Sequence, residues 1–239
     1  SLVVYTQYGK RGYFNSKTGE IVIPPIYKKA WIFSDGLAAV LKADSLYFIN
    51  PQGKQVLKYR YYRNDSYFLN GAKDYCFHDG LCAMYDGNKK YGIIDKSGKW
   101  VVAPEYDKIC RETGSTTLFV LKKDDRYGFA DIQGKIISPC LYEDVAVTED
   151  GVFVFLDDHT QRKMNEDGTL TKDFVCYNIS NLEYYVDSRI NDEGEEIAVT
   201  KFANLHSYSV TTGYMGLIDN NGRRITPPMY KAIKAFGPD

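Results

Sequence analysis

Three observations predict an all-β repeat fold. A turn of the form Asp/Asn-x-x-Gly recurs along the chain. Each turn lies between short apolar segments rich in aromatic and β-branched residues. The spacing of the turns keeps returning to about 35 residues, which marks an internal repeat.

The template is Tyr91-Gly92-Ile93-Ile94-Asp95-Lys96-Ser97-Gly98-Lys99-Trp100-Val101-Val102, followed by Pro104 and Tyr106. Its turn, Asp95 to Gly98, has counterparts at Asn50–Gly53, Asp131–Gly134, Asn165–Gly168 and Asp219–Gly222, and a longer version at Asn15–Gly19. Asp or Asn opens each turn because its side chain bonds the backbone two residues on. Gly closes each turn because the chain there needs a positive φ. This is the chemistry of a type I turn with a bulge between antiparallel strands. The closing glycines are 34, 45, 36, 34 and 54 residues apart, so the second and fifth units carry insertions.

The flanks repeat as well. A strand led by an aromatic–glycine pair or a variant of it precedes each turn, as in "YGIID", "YGFAD" and "MGLID". A second strand follows, as in "KWVV" and "KIIS". Proline comes next at Pro24-Pro25, Pro104, Pro139 and Pro227-Pro228, and is expected to stop that strand. A tyrosine and an Asp-Gly loop lead to a third strand, "LAAV" or "LCAM". The expected unit is a three-stranded antiparallel meander. Six units are expected at about 2–36, 37–80, 81–116, 117–151, 152–204 and 205–239, forming one repeat domain over 1–239. Strands such as "LAAV" are apolar on both faces, so neighbouring units must stack to cover them. An open twisted array meets this need, and a six-bladed propeller is the alternative.

The template resembles the WG (KWG) repeat of bacterial proteins. "YGFADIQGKIISP" from Tyr127 and "MGLIDNNGRRITPPMY" from Met215 are similar. The resemblance extends over essentially the whole chain. It is weaker in units 2 and 5, where Leu46-Tyr47 and Gln161-Arg162 replace the aromatic–glycine pair. It implies a repeat array of bacterial origin, often in exported or envelope proteins. It brings no catalytic residues with it.

Composition narrows the function classes. The hydrophobic share is 44%, enough for a sizeable core, and the 21 Tyr suit half-buried sheet faces. A net charge of −1 supplies no field for a polyanion, so no nucleic-acid partner is expected. No apolar run approaches the roughly 18 residues of a membrane span. The chain opens on Ser1 rather than methionine, which leaves room for sequence upstream. Five cysteines in no C-x-x-C spacing read as small buried residues rather than a disulfide scaffold or zinc site. His78, His159 and His206 are scattered, and His78 reads as a turn residue in "FHDG". "NDEGEE", Asn191 to Glu196, lacks the alternating spacing of a calcium loop and reads as a solvated loop. No cofactor, metal or catalytic motif is expected.

The insertions depart most from the repeat. Lys58–Tyr75 interleaves tyrosines with arginines, and Asn181–Glu196 does so more sparsely. Tyr and Arg favour contact hot spots. The candidate binding residues are therefore Tyr59, Tyr61, Tyr62, Arg63, Tyr67, Tyr184, Tyr185 and Arg189. The competing reading is an extra strand whose tyrosines pack on the core. The expected function is a non-enzymatic repeat protein that presents a protein-binding or scaffolding surface. A carbohydrate-binding module is the alternative, and a hydrolase with an unrecognised carboxylate pair is less favoured.

Overall fold

The computed structural model describes residues 1–61 and 75–239. Among the described residues the regular structure is all β, without a helix, in six antiparallel sheets. The first holds β1 (Leu2–Gln7), β2 (Lys10–Asn15) and β3 (Ile21–Tyr27). The second holds β4 (Lys29–Ala30), β5 (Ala38–Lys42), β6 (Ser45–Ile49) and β7 (Gln55–Arg60). The third holds β8 (Leu81–Tyr85), β9 (Tyr91–Asp95) and β10 (Trp100–Tyr106). The fourth holds β11 (Lys108–Thr113), β12 (Thr117–Lys123), β13 (Arg126–Ala130) and β14 (Ile136–Tyr142). The fifth holds β15 (Asp144–Thr148), β16 (Gly151–Phe155), β17 (Gln161–Met164) and β18 (Leu170–Phe174). The sixth holds β19 (Cys176–Ile190), β20 (Glu196–Val210) and β21 (Met215–Asp219). Within each sheet, strands follow chain order.

Two details differ from the expected three-stranded unit. The connector after Tyr27, Tyr106 and Tyr142 is itself extended and becomes β4, β11 and β15, so three sheets have four strands. Proline does not stop the second strand either. Pro24, Pro25, Pro104 and Pro139 lie inside β3, β10 and β14. In the first and third sheets the ladder is interrupted there. Arg11 pairs with Tyr27 and Tyr13 with Ile23, so four residues of β3 span two of β2. Tyr91 pairs with Tyr106 and Ile93 with Val102 in the same way. Proline is tolerated because each of these strands is outermost, and β3 and β10 are bulged as well.

The bulge explains the glycine of the aromatic–glycine pair. A Cβ on Gly12 would lie 2.4 Å from the Ile23 carbonyl oxygen. On Gly92 it would lie 2.5 Å from that of Val102, and on Gly128 2.5 Å from that of Ser138. These glycines do not have positive φ. They are needed because the proline-bearing strand crosses within contact distance of their backbone.

The turns follow the expected chemistry. All six closing glycines have positive φ, including 85° at Gly98, 85° at Gly134 and 80° at Gly222. Asp95 Oδ1 accepts from the amides of Ser97 and Lys99 at 2.8 and 3.1 Å. Asp219 accepts from Asn221 and Arg223, both at 2.9 Å, and Asn50 from Gln52 and Lys54. The Ser97 hydroxyl and these amides hold the Asp95 carboxyl below its ordinary value. The Arg223 and Asn221 amides, with the Arg223 side chain, do the same for Asp219. Depressed carboxylates contribute stability that is present above their ordinary pKa and lost as pH falls through the folded value. The urea midpoint is therefore expected to drop between pH 5 and pH 3, by roughly those limits of carboxylate titration. An Asp95→Asn/Asp219→Asn chain should show a shallower drop, because the asparagine oxygen at Asn50 already serves the same two amides without titrating. Parallel curves for the two proteins would refute this assignment.

The chain forms two compact units. One comprises Ser1–Thr113 with Thr117–Leu141, and the other Gly114–Thr116 with Tyr142–Asp239. In the first unit, sheets stack by using both faces of their strands. Ala38 and Val40 of β5 pack with Tyr13, Ile23 and Tyr27 of the first sheet. Their neighbours Ala39 and Leu41 pack with Cys82, Met84 and Ile94 of the third. Ile93 and Leu81 of that sheet turn toward Ile109, Phe119 and Leu121 of the fourth. In the second unit, Tyr208, Val210 and Ile218 form a core with Phe174, Cys176 and Tyr214 against it. Cys76 and Cys82 are buried, as expected of small apolar side chains.

Candidate interaction surface

The two insertions are described to different extents. The first begins as the end of β7. Tyr59 is half-buried against the core, edge-on to Phe48 with centroids 6.2 Å apart, and burial pushes its hydroxyl above the ordinary value. Tyr61 follows β7, and its hydroxyl accepts from Lys29 Nζ at 3.2 Å. The Lys29 ammonium also lies 5.5 Å from the Tyr61 ring centroid. Tyr62, Arg63 and Tyr67 lie outside the described residues.

The second insertion is a hairpin. β19 and β20 are 15 residues each, about three times the length of β21. β21 pairs with β20 only from Leu205 to Ser209. Beyond Ala203, among the described residues, β19 and β20 pair only with each other. The hairpin tip is a seventh Asx-x-x-Gly turn. Asn191 Oδ1 accepts from the Glu193 and Glu195 amides at 3.0 and 2.8 Å, and Gly194 has a φ of 82°. "NDEGEE" is therefore an exposed loop, as expected, and its backbone is held as a turn.

Register sets the two faces of the distal hairpin. Glu183 pairs with Phe202, Tyr184 with Lys201 and Tyr185 with Thr200. A bulge at Val186 then shifts the pairing, so Asp187 meets Val199, Arg189 meets Ile197 and Ile190 meets Glu196. One face thus carries Tyr185, Phe202, Ala198 and Ile190. Tyr185 is 62% exposed, Phe202 64% and Ile190 66%. The other face carries Tyr184, Lys201, Arg189 and Ile197. Tyr184, Tyr185 and Arg189 are the candidates the sequence offers here, and the register places Phe202 and Ile190 on the face of Tyr185. The signal was available in "EIAVTKF", which alternates as a strand does. Residues 181–203 carry six carboxylates against Arg189 and Lys201, in a chain whose net charge is −1.

The clustered polar side chains elsewhere serve structure. The Ser34 hydroxyl donates to the Phe77 carbonyl at 2.6 Å, and its oxygen lies 3.3 Å from His78 Nδ1. Its proton is committed to a backbone oxygen, which leaves it poorly placed for attack. Asp35 accepts the Gly80 amide at 2.7 Å, and Arg111 pairs with Asp79. These contacts tie one Asp-Gly loop to the next. His159 stacks on Tyr214 with centroids 3.7 Å apart, joining two turns. Among the described residues, no three His, Cys, Asp or Glu side chains are placed to hold a metal ion. No helix there is long and apolar enough to cross a membrane.

The family profile described as "WG containing repeat" matches residues 12–47, 91–111 and 127–158. These three segments are WG repeats. In each lies a glycine, Gly12, Gly92 or Gly128, whose backbone is crossed by the proline-bearing strand. No curated protein matches the chain. Among solved structures, BamB from Moraxella catarrhalis aligns over 95% of this chain and 72% of its own, at 12% identity and a TM-score of 0.42. A eukaryotic initiation factor aligns over 95% of this chain and 63% of its own, at 11% identity and a TM-score of 0.43. Virginiamycin B lyase from Staphylococcus aureus aligns over 80% and 69%, at 17% identity and a TM-score of 0.31. None of these likenesses bears on activity.

Proposed function

We propose that this WG-repeat protein is a non-enzymatic scaffold and that its long hairpin is a protein-binding surface. One observation carries the reading. The distal hairpin holds Tyr185, Phe202 and Ile190 together on one face, each more than 60% exposed. Large exposed residues on a regular face are costly to leave in water and are typical of contact patches. The repeats need no such hairpin for their own packing, because the core of the second unit is completed by Tyr208, Val210 and Ile218 at its base.

The test is quantitative affinity capture from native extract with the wild-type chain and a Tyr185→Ser/Phe202→Ser/Ile190→Ser chain. Loss of each captured protein by about 10-fold or more is expected, as for removal of a hot-spot cluster. The melting temperature should stay within a few degrees, because these side chains are exposed. Identical capture by both chains would reject the hairpin as the binding surface.

A further inference from the structure

We propose that one partner of the hairpin is a second copy of this chain, docked through the basic end of its second sheet. The inference rests on the reading of the hairpin as a binding surface. It names the occupant by charge and by shape.

The hairpin side is acidic and apolar. Asp192, Glu193, Glu195 and Glu196 crowd the tip, and all are exposed. None makes an ion pair among the described residues. Just behind them lie Ile190, Tyr185 and Phe202 on one face.

The complementary surface is on the first unit. Lys29 of β4 lies opposite Leu41, the next residue Lys42 lies opposite Ser45, and Ser45 lies opposite Arg60. The register thus gathers Lys28, Lys29, Lys42 and Arg60 at one end of the second sheet, with Lys58 two residues further in. At about 4.8 Å per strand, four strands make an end about 15 Å wide, which accommodates a two-stranded hairpin. All five cations are exposed. Lys28, Lys29, Lys42 and Lys58 have no ion-pair partner among the described residues. Asp44 is the one acid in the adjoining turn. The lysine stems and the half-buried rings of Tyr47 and Tyr61 supply apolar area under the charges. Ammonium groups over incoming Tyr185 and Phe202 rings would add cation–π attraction.

The charge of these four lysines and of the four tip carboxylates, opposite in sign and without ion pairs among the described residues, steers copies together and sets the docking register. The two surfaces differ, so the contact is heterologous. Each copy keeps one hairpin and one basic end available for the next.

The experiment is sedimentation velocity on the full chain across a concentration series, with two charge-reversed chains. One carries Glu193→Lys, Glu195→Lys and Glu196→Lys. The other carries Lys29→Glu, Lys42→Glu and Lys58→Glu. The wild type should show a mass above the monomer that rises with concentration, with a Kd on the order of 10 μM. Raising salt from ~0.05 to ~0.5 M should weaken it about 10-fold. Each reversed chain alone should be monomeric, since its tip and its sheet end then carry like charges. An equimolar mixture should assemble again, because each tip meets an oppositely charged sheet end. The recovery in the mixture also shows that both variants are folded. A wild type that stays monomeric overturns self-docking while leaving the hairpin's capture of other proteins to its own test. Assembly that survives either reversal, or a mixture that does not assemble, overturns it as well.

Discussion

A Gly128→Ala chain is expected to be less stable than wild type by roughly 3 kcal/mol, the scale of an overpacked core site. The added methyl would lie 2.5 Å from the Ser138 carbonyl oxygen and 2.6 Å from the Pro139 carbonyl carbon. Both are backbone atoms in β14, so no side chain can rotate away. The strand must shift, and Ser138, which is buried, shifts with it. The contrast is Gly9→Ala, where φ is 73° and nothing lies within 4 Å of the new methyl. There only the backbone strain remains, about 1–2 kcal/mol. Urea unfolding of the two variants at neutral pH measures both. A Gly128→Ala loss no larger than that of Gly9→Ala would mean that the strand crossing relaxes at little cost and does not set the repeat's demand for glycine.

Phe48→Ala is expected to remove about 4 kcal/mol, within the range for deleting a buried aromatic ring. Phe48 is 0% exposed and lies in β6 between the second and third sheets. Its ring meets Phe77 edge-on at 5.0 Å and Tyr59 at 6.2 Å. Removing it leaves a cavity at the place where one repeat stacks on the next, and Tyr59 loses its support. The loss should appear as a lower urea midpoint. A loss under about 1 kcal/mol, as for an exposed site, would show that this sheet pair is not a cooperative core.

Much of the fold was legible because its chemistry is local. An Asp or Asn that bonds amides two and four residues on, closed by a glycine of positive φ, leaves its mark within five residues. The role of Gly92 was not legible, because the atom that forbids its side chain belongs to Val102 on another strand. Pro104 misled for the same reason. Its missing donor is harmless only where the strand is outermost and bulged, and that is a property of pairing. The apolar doublets Ala38-Ala39 and Val40-Leu41 correctly announced two buried faces. The candidate surface was half legible. Tyr184, Tyr185 and Arg189 drew notice by residue type, whereas Phe202 and Ile190 joined them only through cross-strand register. The tip is the exposed loop expected, and its Asn191-Asp192-Glu193-Gly194 repeats the turn pattern found six times elsewhere.

The prolines in β3, β10 and β14 have one more effect. A protein built from separate sheets exposes strand edges at every sheet, and each full edge is a template for another chain to pair with. Proline cannot complete such a row of donors, and a bulge twists the row out of line. The sheets that carry Pro24, Pro25, Pro104 and Pro139 on an outermost strand are thereby protected on that side against fibrous aggregation when copies accumulate. β19 is also outermost and contains no proline in its fifteen residues, but its pairing with β20 shifts register three times, so bulges interrupt this edge where proline does not.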